Sequence, residues 1–198
     1  MVVVLVDFIG ERLDKIMNYH NITYPDMNNG DGLRVCLWLS GCNHHCKGCQ
    51  NPQTWDINSG ILFDEKAKEE LFRELEKDYI SGITLTGGDP LHDNNVREVY
   101  QLLQKIKNKY PEKTIWIYTG YTIEEIMNTN KNFFDYTNLT QTDDYRKAII
   151  EDFCDVLVDG RYIKEKKDTT LKWRGSSNQR VLNVLESLRQ NKVVLYCD

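Results

Sequence analysis

The run Cys42-Asn43-His44-His45-Cys46-Lys47-Gly48-Cys49 sets three thiols at spacings of x3 and x2 on one short segment. Three thiolates hold three corners of a cubane iron–sulfur cluster and leave the fourth iron open, whereas the four-cysteine set of a ferredoxin closes all four. An open iron is a place where a further ligand can bind and react. The competing arrangement is a zinc knuckle, with His44, His45 or a distant cysteine as fourth ligand, because Cys3His is an accepted structural zinc set. Spacing alone leaves both open.

A second chemical signature is Gly87-Gly88-Asp89-Pro90. Paired glycines suit a backbone that must approach a ligand closely, since a Cβ would collide there. With the cysteine run, this stretch resembles the radical S-adenosylmethionine (SAM) enzymes. The remaining motifs narrow the likeness. Met17-Asn18-Tyr19-His20, Asn29-Gly30-Asp31-Gly32, Thr54-Trp55, Gly87-Gly88-Asp89-Pro90-Leu91-His92, Tyr118-Thr119-Gly120-Tyr121 and Arg174-Gly175-Ser176-Ser177-Asn178-Gln179 occur in the order found in activating proteins of anaerobic ribonucleotide reductases. The likeness runs from about Met17 almost to the C-terminus.

The resemblance implies an α/β fold, an open partial (β/α) barrel with a mainly parallel sheet. It implies a [4Fe-4S] cluster on Cys42, Cys46 and Cys49, with SAM on the open iron. Gly48, Cys49, Gln50, Gly88, Thr119 and Arg174 are the SAM contacts it implies. The implied partners are the large catalytic subunit of the reductase and a low-potential electron donor of the flavodoxin or ferredoxin type. No general base is needed, so His20, His44, His45 and His92 receive no acid–base role. Two alternatives stay beside this reading: activation of another glycyl-radical enzyme, and a zinc-knuckle interaction module without catalysis. For Arg174 to Gln179, contact with SAM or the partner stands against a loop whose Ser and Asn side chains satisfy their own backbone.

Composition sets the frame. At 198 residues, the chain suits one domain and is short of the roughly 250 residues of a complete eight-fold barrel. Net charge is −5, with 25 basic and 30 acidic residues, so no basic field gathers nucleic acid. Three of six cysteines crowd one loop, which points to metal binding in a reducing cytoplasm rather than to disulfides. Cys36 and Cys154 lie in apolar strand patterns, and Cys197 sits beside the terminus. Residues 1–16 open with an apolar run broken by Asp7; they read as an extension, neither signal peptide nor membrane span, before a single domain over 17–198.

The positioning elements follow from periodicity. Residues 33–39 alternate, with Leu33, Val35, Leu37 and Leu39 on one face, and form the first core strand. Its end delivers the cysteine loop, which runs to about Gly60 and includes Trp55, a packing residue. A helix follows from the Asp64 cap to about residue 77, with Ala67, Leu71 and Leu75 inward. Strands are expected at 82–86, 114–118 and 153–158, and a helix at 94–109. Thr122-x-x-Glu125 is a capping box. Residues 128–146 read as a polar surface excursion, and 164–168 as a solvated loop. The period of 181–196 fits helix and strand alike.

Overall fold

Alternation in the strands and 3.6-residue periodicity in the helices sort the apolar residues onto one side of a sheet. The computed structural model describes residues 17–127 and 141–197; the extension 1–16 and the 128–140 part of the polar excursion lie outside the described residues. The strands are β1 (Asn18–Asp26), β2 (Arg34–Leu39), β3 (Ile61–Leu62), β4 (Gly82–Gly87), β5 (Thr114–Tyr118), β6 (Val156–Asp159) and β7 (Arg180–Asn183). They form one seven-stranded sheet in the order β3-β1-β2-β4-β5-β6-β7. The pairs β2–β4, β4–β5 and β5–β6 are parallel, and the outer pairs are antiparallel. The fold is mixed α/β with a parallel centre.

Among the described residues, five helices accompany it: α1 (Glu65–Leu75), α2 (Val96–Lys109), α3 (Ile123–Met127), α4 (Gln141–Asp152) and α5 (Val184–Gln190). Asp64 caps α1 by accepting from the Ala67 amide at 2.9 Å. Thr122 and Glu125 exchange the two bonds of a capping box, at 2.8 and 3.2 Å. The helices contribute apolar residues to one core cluster with the sheet face made by Val35, Leu37, Leu39, Ile83, Leu85, Ile115, Ile117 and Leu157. This apolar burial is the main stabilising term.

The opposite face has another composition. Alternation places Arg34, Cys36 and Trp38 of β2 there, beside Thr84 and Thr86 of β4 and Trp116 and Tyr118 of β5. Arg34 is fully buried, and its five N–H groups all find acceptors: Thr84 Oγ1, Asp31 O, Thr114 Oγ1, Ile83 O and Thr114 O, at 2.7 to 3.0 Å. Burial pulls its pKa down to about 10. Trp116 is covered edge-on by Trp173 and Tyr196.

The structure departs from the sequence expectations at four places. The expected first core strand, β2, is preceded by β1, whose Tyr19 and Ile22 alternate too sparsely among polar residues to read as a strand. The excursion expected over 128–146 is helical from Gln141, because α4 docks on α2 and buries Arg146, which donates to Leu91 O at 2.8 Å. The strand expected over 153–158 begins only at Val156; Phe153 and Cys154 still bond back to Ile149 O and close α4. The undecided stretch 181–196 is both states in turn, β7 pairing with β6 and then α5 capped by Asn183.

Candidate cluster and cofactor site

Parallel register brings the chemical segments to one edge of the sheet. Leu39 of β2 pairs with Gly87 of β4, so the loops that follow them leave side by side. Gly88 N donates to Leu39 O and Asp89 N to Gly41 O, each at 2.7 Å. The far end of the cysteine loop is tied in as well, through Gly41 N to Thr54 O at 2.7 Å and Cys42 N to Trp55 O at 3.0 Å. Trp55 also packs edge-on against His45.

Asp89 is the hub of these loops. It is 2% exposed, and its carboxylate accepts from Leu91 N (2.8 Å), Gly120 N (3.0 Å) and the Thr119 hydroxyl (2.9 Å). His44 Nε2 meets the same carboxylate at 2.8 Å. The loop after β2, the loop after β4 and the loop after β5 are therefore joined at one carboxylate. Sequence reading quoted Asp89 within its motif and gave it no role.

The three loop cysteines are half-buried, and Cys36 and Cys154 are buried in the sheet region. Burial, and after it the Asp89 charge, pushes the Cys42 thiol up to about 11; burial also raises Cys46. Such thiols stay protonated until a metal displaces the proton. Asn51 N points at Cys49 Sγ at 3.3 Å, a donor that suits a thiolate. Among the described residues, no group of three or more His, Cys, Asp and Glu is gathered to hold a single metal ion.

Beside Cys49 lies a cavity of about 410 Å³ on the polar face of the sheet. It is lined by Asn28, Asn29, Trp38, Cys49, Gln50, Asn51, Thr86, Tyr118, Tyr162, Leu171, Trp173, Arg174, Gly175 and Gln179. Two of its buried polar atoms, Tyr118 Oη and Arg174 Nε, have no hydrogen-bond partner. Buried polar groups are normally paired, so both donors are open to a ligand. Burial pushes the Tyr118 phenol well above its usual range, which keeps it an O–H donor.

Of the residues expected to contact SAM, Cys49, Gln50 and Arg174 share this cavity. Gly175 packs against the Gln50 amide and the Tyr162 ring, so the cysteine loop and the Arg174 motif touch. Within that motif Gln179 Oε1 accepts from Gly175 N and Ser176 N, and Asn178 Nδ2 donates to Arg161 O. Those side chains hold their own loop, leaving Arg174 to face the cavity. Gly48 stands apart, beside the Lys164 side chain, which makes residues 164–166 a neighbour of the cysteine loop rather than only a solvated turn. Thr119 and Gly88 are not among the residues that line the cavity: the Thr119 hydroxyl donates to Asp89, and a Cβ on Gly88 would stand 2.6 Å from Gly41 O.

That last contact sets the expected result of a substitution. Gly88→Ala pushes backbone against backbone at the start of the cysteine loop. Iron and acid-labile sulfide per chain after anaerobic reconstitution should fall by half or more, on the order of the 10–100-fold affinity losses seen when outer-shell supports of a metal site are removed. Full iron content in the variant would return Gly88 to a role toward a ligand alone.

The comparisons with known proteins agree with this geometry. A family model described as a 4Fe-4S single cluster domain matches residues 28–182. Proteins named anaerobic ribonucleoside-triphosphate reductase-activating protein are similar along most of their length. The Vibrio cholerae and Escherichia coli K12 proteins are each 40% identical over 165 residues, 82% of this chain and 96% of theirs. The Enterobacteria phage T4 protein is also 40% identical, over 83% of this chain and 93% of its own. The chain belongs to this family.

The family match takes in Cys42, Cys46, Cys49, Asp89, Thr119 and Arg174, and it leaves residues 1–16 outside. Beyond Asp89, sequence reading missed Trp38, Thr86 and Tyr118 as cavity residues. The signal was present: each stands near the end of its strand on the face opposite the apolar stripe, so alternation points them away from the core. No described helix is long and apolar enough to cross a membrane.

Proposed function

We propose that this reductase-activating family member carries a [4Fe-4S] cluster on Cys42, Cys46 and Cys49 and binds SAM in the adjoining cavity. Its substrate is then a glycine in the large catalytic subunit of an anaerobic ribonucleoside-triphosphate reductase. The observation that carries the reading is the pair of unpartnered donors, Arg174 Nε and Tyr118 Oη, in a cavity that also receives Cys49. A volume of about 410 Å³ lies within the range of small-molecule sites. SAM offers a carboxylate for Arg174 and hydroxyl or ring-nitrogen acceptors for Tyr118.

The protein's own part is positional. Arg174 orients a carboxylate, Trp38, Tyr118 and Trp173 wall the site, and Asp89 holds the surrounding loops in one arrangement. Held by Cys42, Cys46 and Cys49 and by the Arg174 cavity, the cluster and SAM would supply one-electron cleavage of the sulfonium to methionine and a 5′-deoxyadenosyl radical, which would take the glycine Cα hydrogen and leave as 5′-deoxyadenosine. A glycine suits this because its radical is shared with the flanking amides and no side chain blocks the approach. The electron comes from a low-potential flavodoxin- or ferredoxin-type donor in a reducing cytoplasm. Neither nucleic acid nor a membrane takes part. Helices on one sheet face and the cavity on the other suit an open partial (β/α) barrel, whose open side admits the partner's glycine loop.

The test mixes the reconstituted protein, SAM, a low-potential reductant and candidate partners without oxygen, and records electron paramagnetic resonance spectra. A doublet forming on the reductase, and collapsing when its glycine is α-deuterated, is the expected result. A doublet only on another glycyl-radical enzyme would redirect the substrate. A colourless protein with one zinc and no acid-labile sulfide would remove the cluster reading altogether.

A further inference from the structure

The Asp89 carboxylate is linked to the surface by a chain of three side chains. His44 Nε2 lies 2.8 Å from Asp89 Oδ2, and Arg161 Nε donates to His44 Nδ1 at 3.2 Å. Arg161 in turn pairs through Nη1 with Glu125 Oε1 at 3.1 Å. A guanidinium has donors and no acceptor, so Nδ1 accepts and the imidazole proton sits on Nε2, where it is donated to Asp89. The His44 side chain is 6% exposed although it belongs to an exposed loop. Its ring fills the space over Gly120, where a Cβ would stand 2.2 Å from Cδ2, and meets Tyr121 edge-on at 4.6 Å.

His44 stands midway between Cys42 and Cys46, so these contacts act on the segment that sets two of the three thiols. The neighbouring Asn43 Oδ1 meets His92 Nε2 at 3.0 Å and supports the same side of the loop. Neither tie involves a cysteine.

We propose that His44 is the positioning residue of the cysteine loop. Held as the Nε2–H tautomer by Arg161, it pins the loop to Asp89 and fixes where Cys42 and Cys46 stand relative to the loops after β4 and β5. The purpose of this latch rests on the cluster reading above, but the latch itself is made of protein groups alone. The position needs a side chain that donates on one edge and accepts on the other. Gln meets that requirement in part, Ala does not, and Lys cannot accept from Arg161. Gly120 is the matching requirement from the other side, because any Cβ there displaces the ring.

Two measurements test the proposal separately. Long-range proton–nitrogen spectra of the metal-free, reduced protein should show His44 with its proton on Nε2, and Arg161→Gln should abolish that single tautomer. In iron uptake against a competing chelator, His44→Ala and Gly120→Ala should each lose about 10–100-fold in affinity, the scale for outer-shell supports of metal ligands. His44→Gln should recover most of the loss, with far-UV circular dichroism confirming that all variants are folded. A proton on Nδ1 in the wild type would overturn the latch, as would wild-type iron affinity in His44→Ala or no recovery in His44→Gln. If the wild-type protein took up no cluster, the function proposed above would fail, while the nitrogen spectra would still decide the latch.

Discussion

Replacing Cys42, Cys46 or Cys49 singly with Ala is expected to abolish the cluster, and with it all SAM cleavage. Two thiolates cannot hold a cubane whose fourth iron is reserved for a substrate. Replacing Cys36, Cys154 or Cys197 should leave iron and sulfide per chain unchanged. Cys36 is fully buried on the polar face of β2, where burial pushes its thiol up to about 12. Cys154 is buried beside Ile149, with its thiol raised well above the ordinary value by burial. Neither lies on the loop that carries the three spaced thiols, and Cys197 packs against the cluster of Trp116, Val156, Val158 and Val181. The measurement is iron and acid-labile sulfide analysis with an absorption spectrum on anaerobically reconstituted protein. Loss of the cluster in Cys36→Ala with retention in Cys46→Ala would reverse the ligand assignment.

Asp89→Asn should be the most damaging change that touches no cysteine. The carboxylate accepts from Leu91 N, Gly120 N, the Thr119 hydroxyl and His44. An amide of the same shape keeps one oxygen and turns an NH2 toward donors, which strands at least one buried donor and sets another against it. Each stranded group costs about 1–3 kcal/mol. Against a typical stability of about 5–15 kcal/mol, the variant should unfold at clearly lower urea and fail to keep its cluster. Urea unfolding of the metal-free protein separates the two effects. A stability within about 1 kcal/mol of wild type would mean that the three loops are held together elsewhere.

The periodic elements were legible because they report burial of one face. Alternation over 33–39 located β2, residues 114–118 matched β5, and the Asp64 cap and the Thr122–Glu125 box stood where local hydrogen bonding demands them. Residues 141–146 went the other way. Their polar composition reads as loop, and packing of Arg146 under Leu91 makes them helix. Antiparallel β1 and β3 were also missed, since a two-residue edge strand and the half-exposed strand beside it carry little alternation.

By itself, the sequence supplied the chemical groups: three thiols at x3 and x2, a glycine pair for close approach, an arginine motif, and the four central strands that carry them. Only the tertiary structure decided what those groups meet. His44 and Asp89 are 45 residues apart, and Thr119 and Asp89 are 30 apart, yet all three share one carboxylate. Gly88 is required by the backbone of Gly41, and Arg174 lines the same cavity as Cys49 and Tyr118. The physical reason is that periodicity records which side of an element is buried. A hydrogen-bond partner across the sheet edge is set by register and by the loops that register brings together.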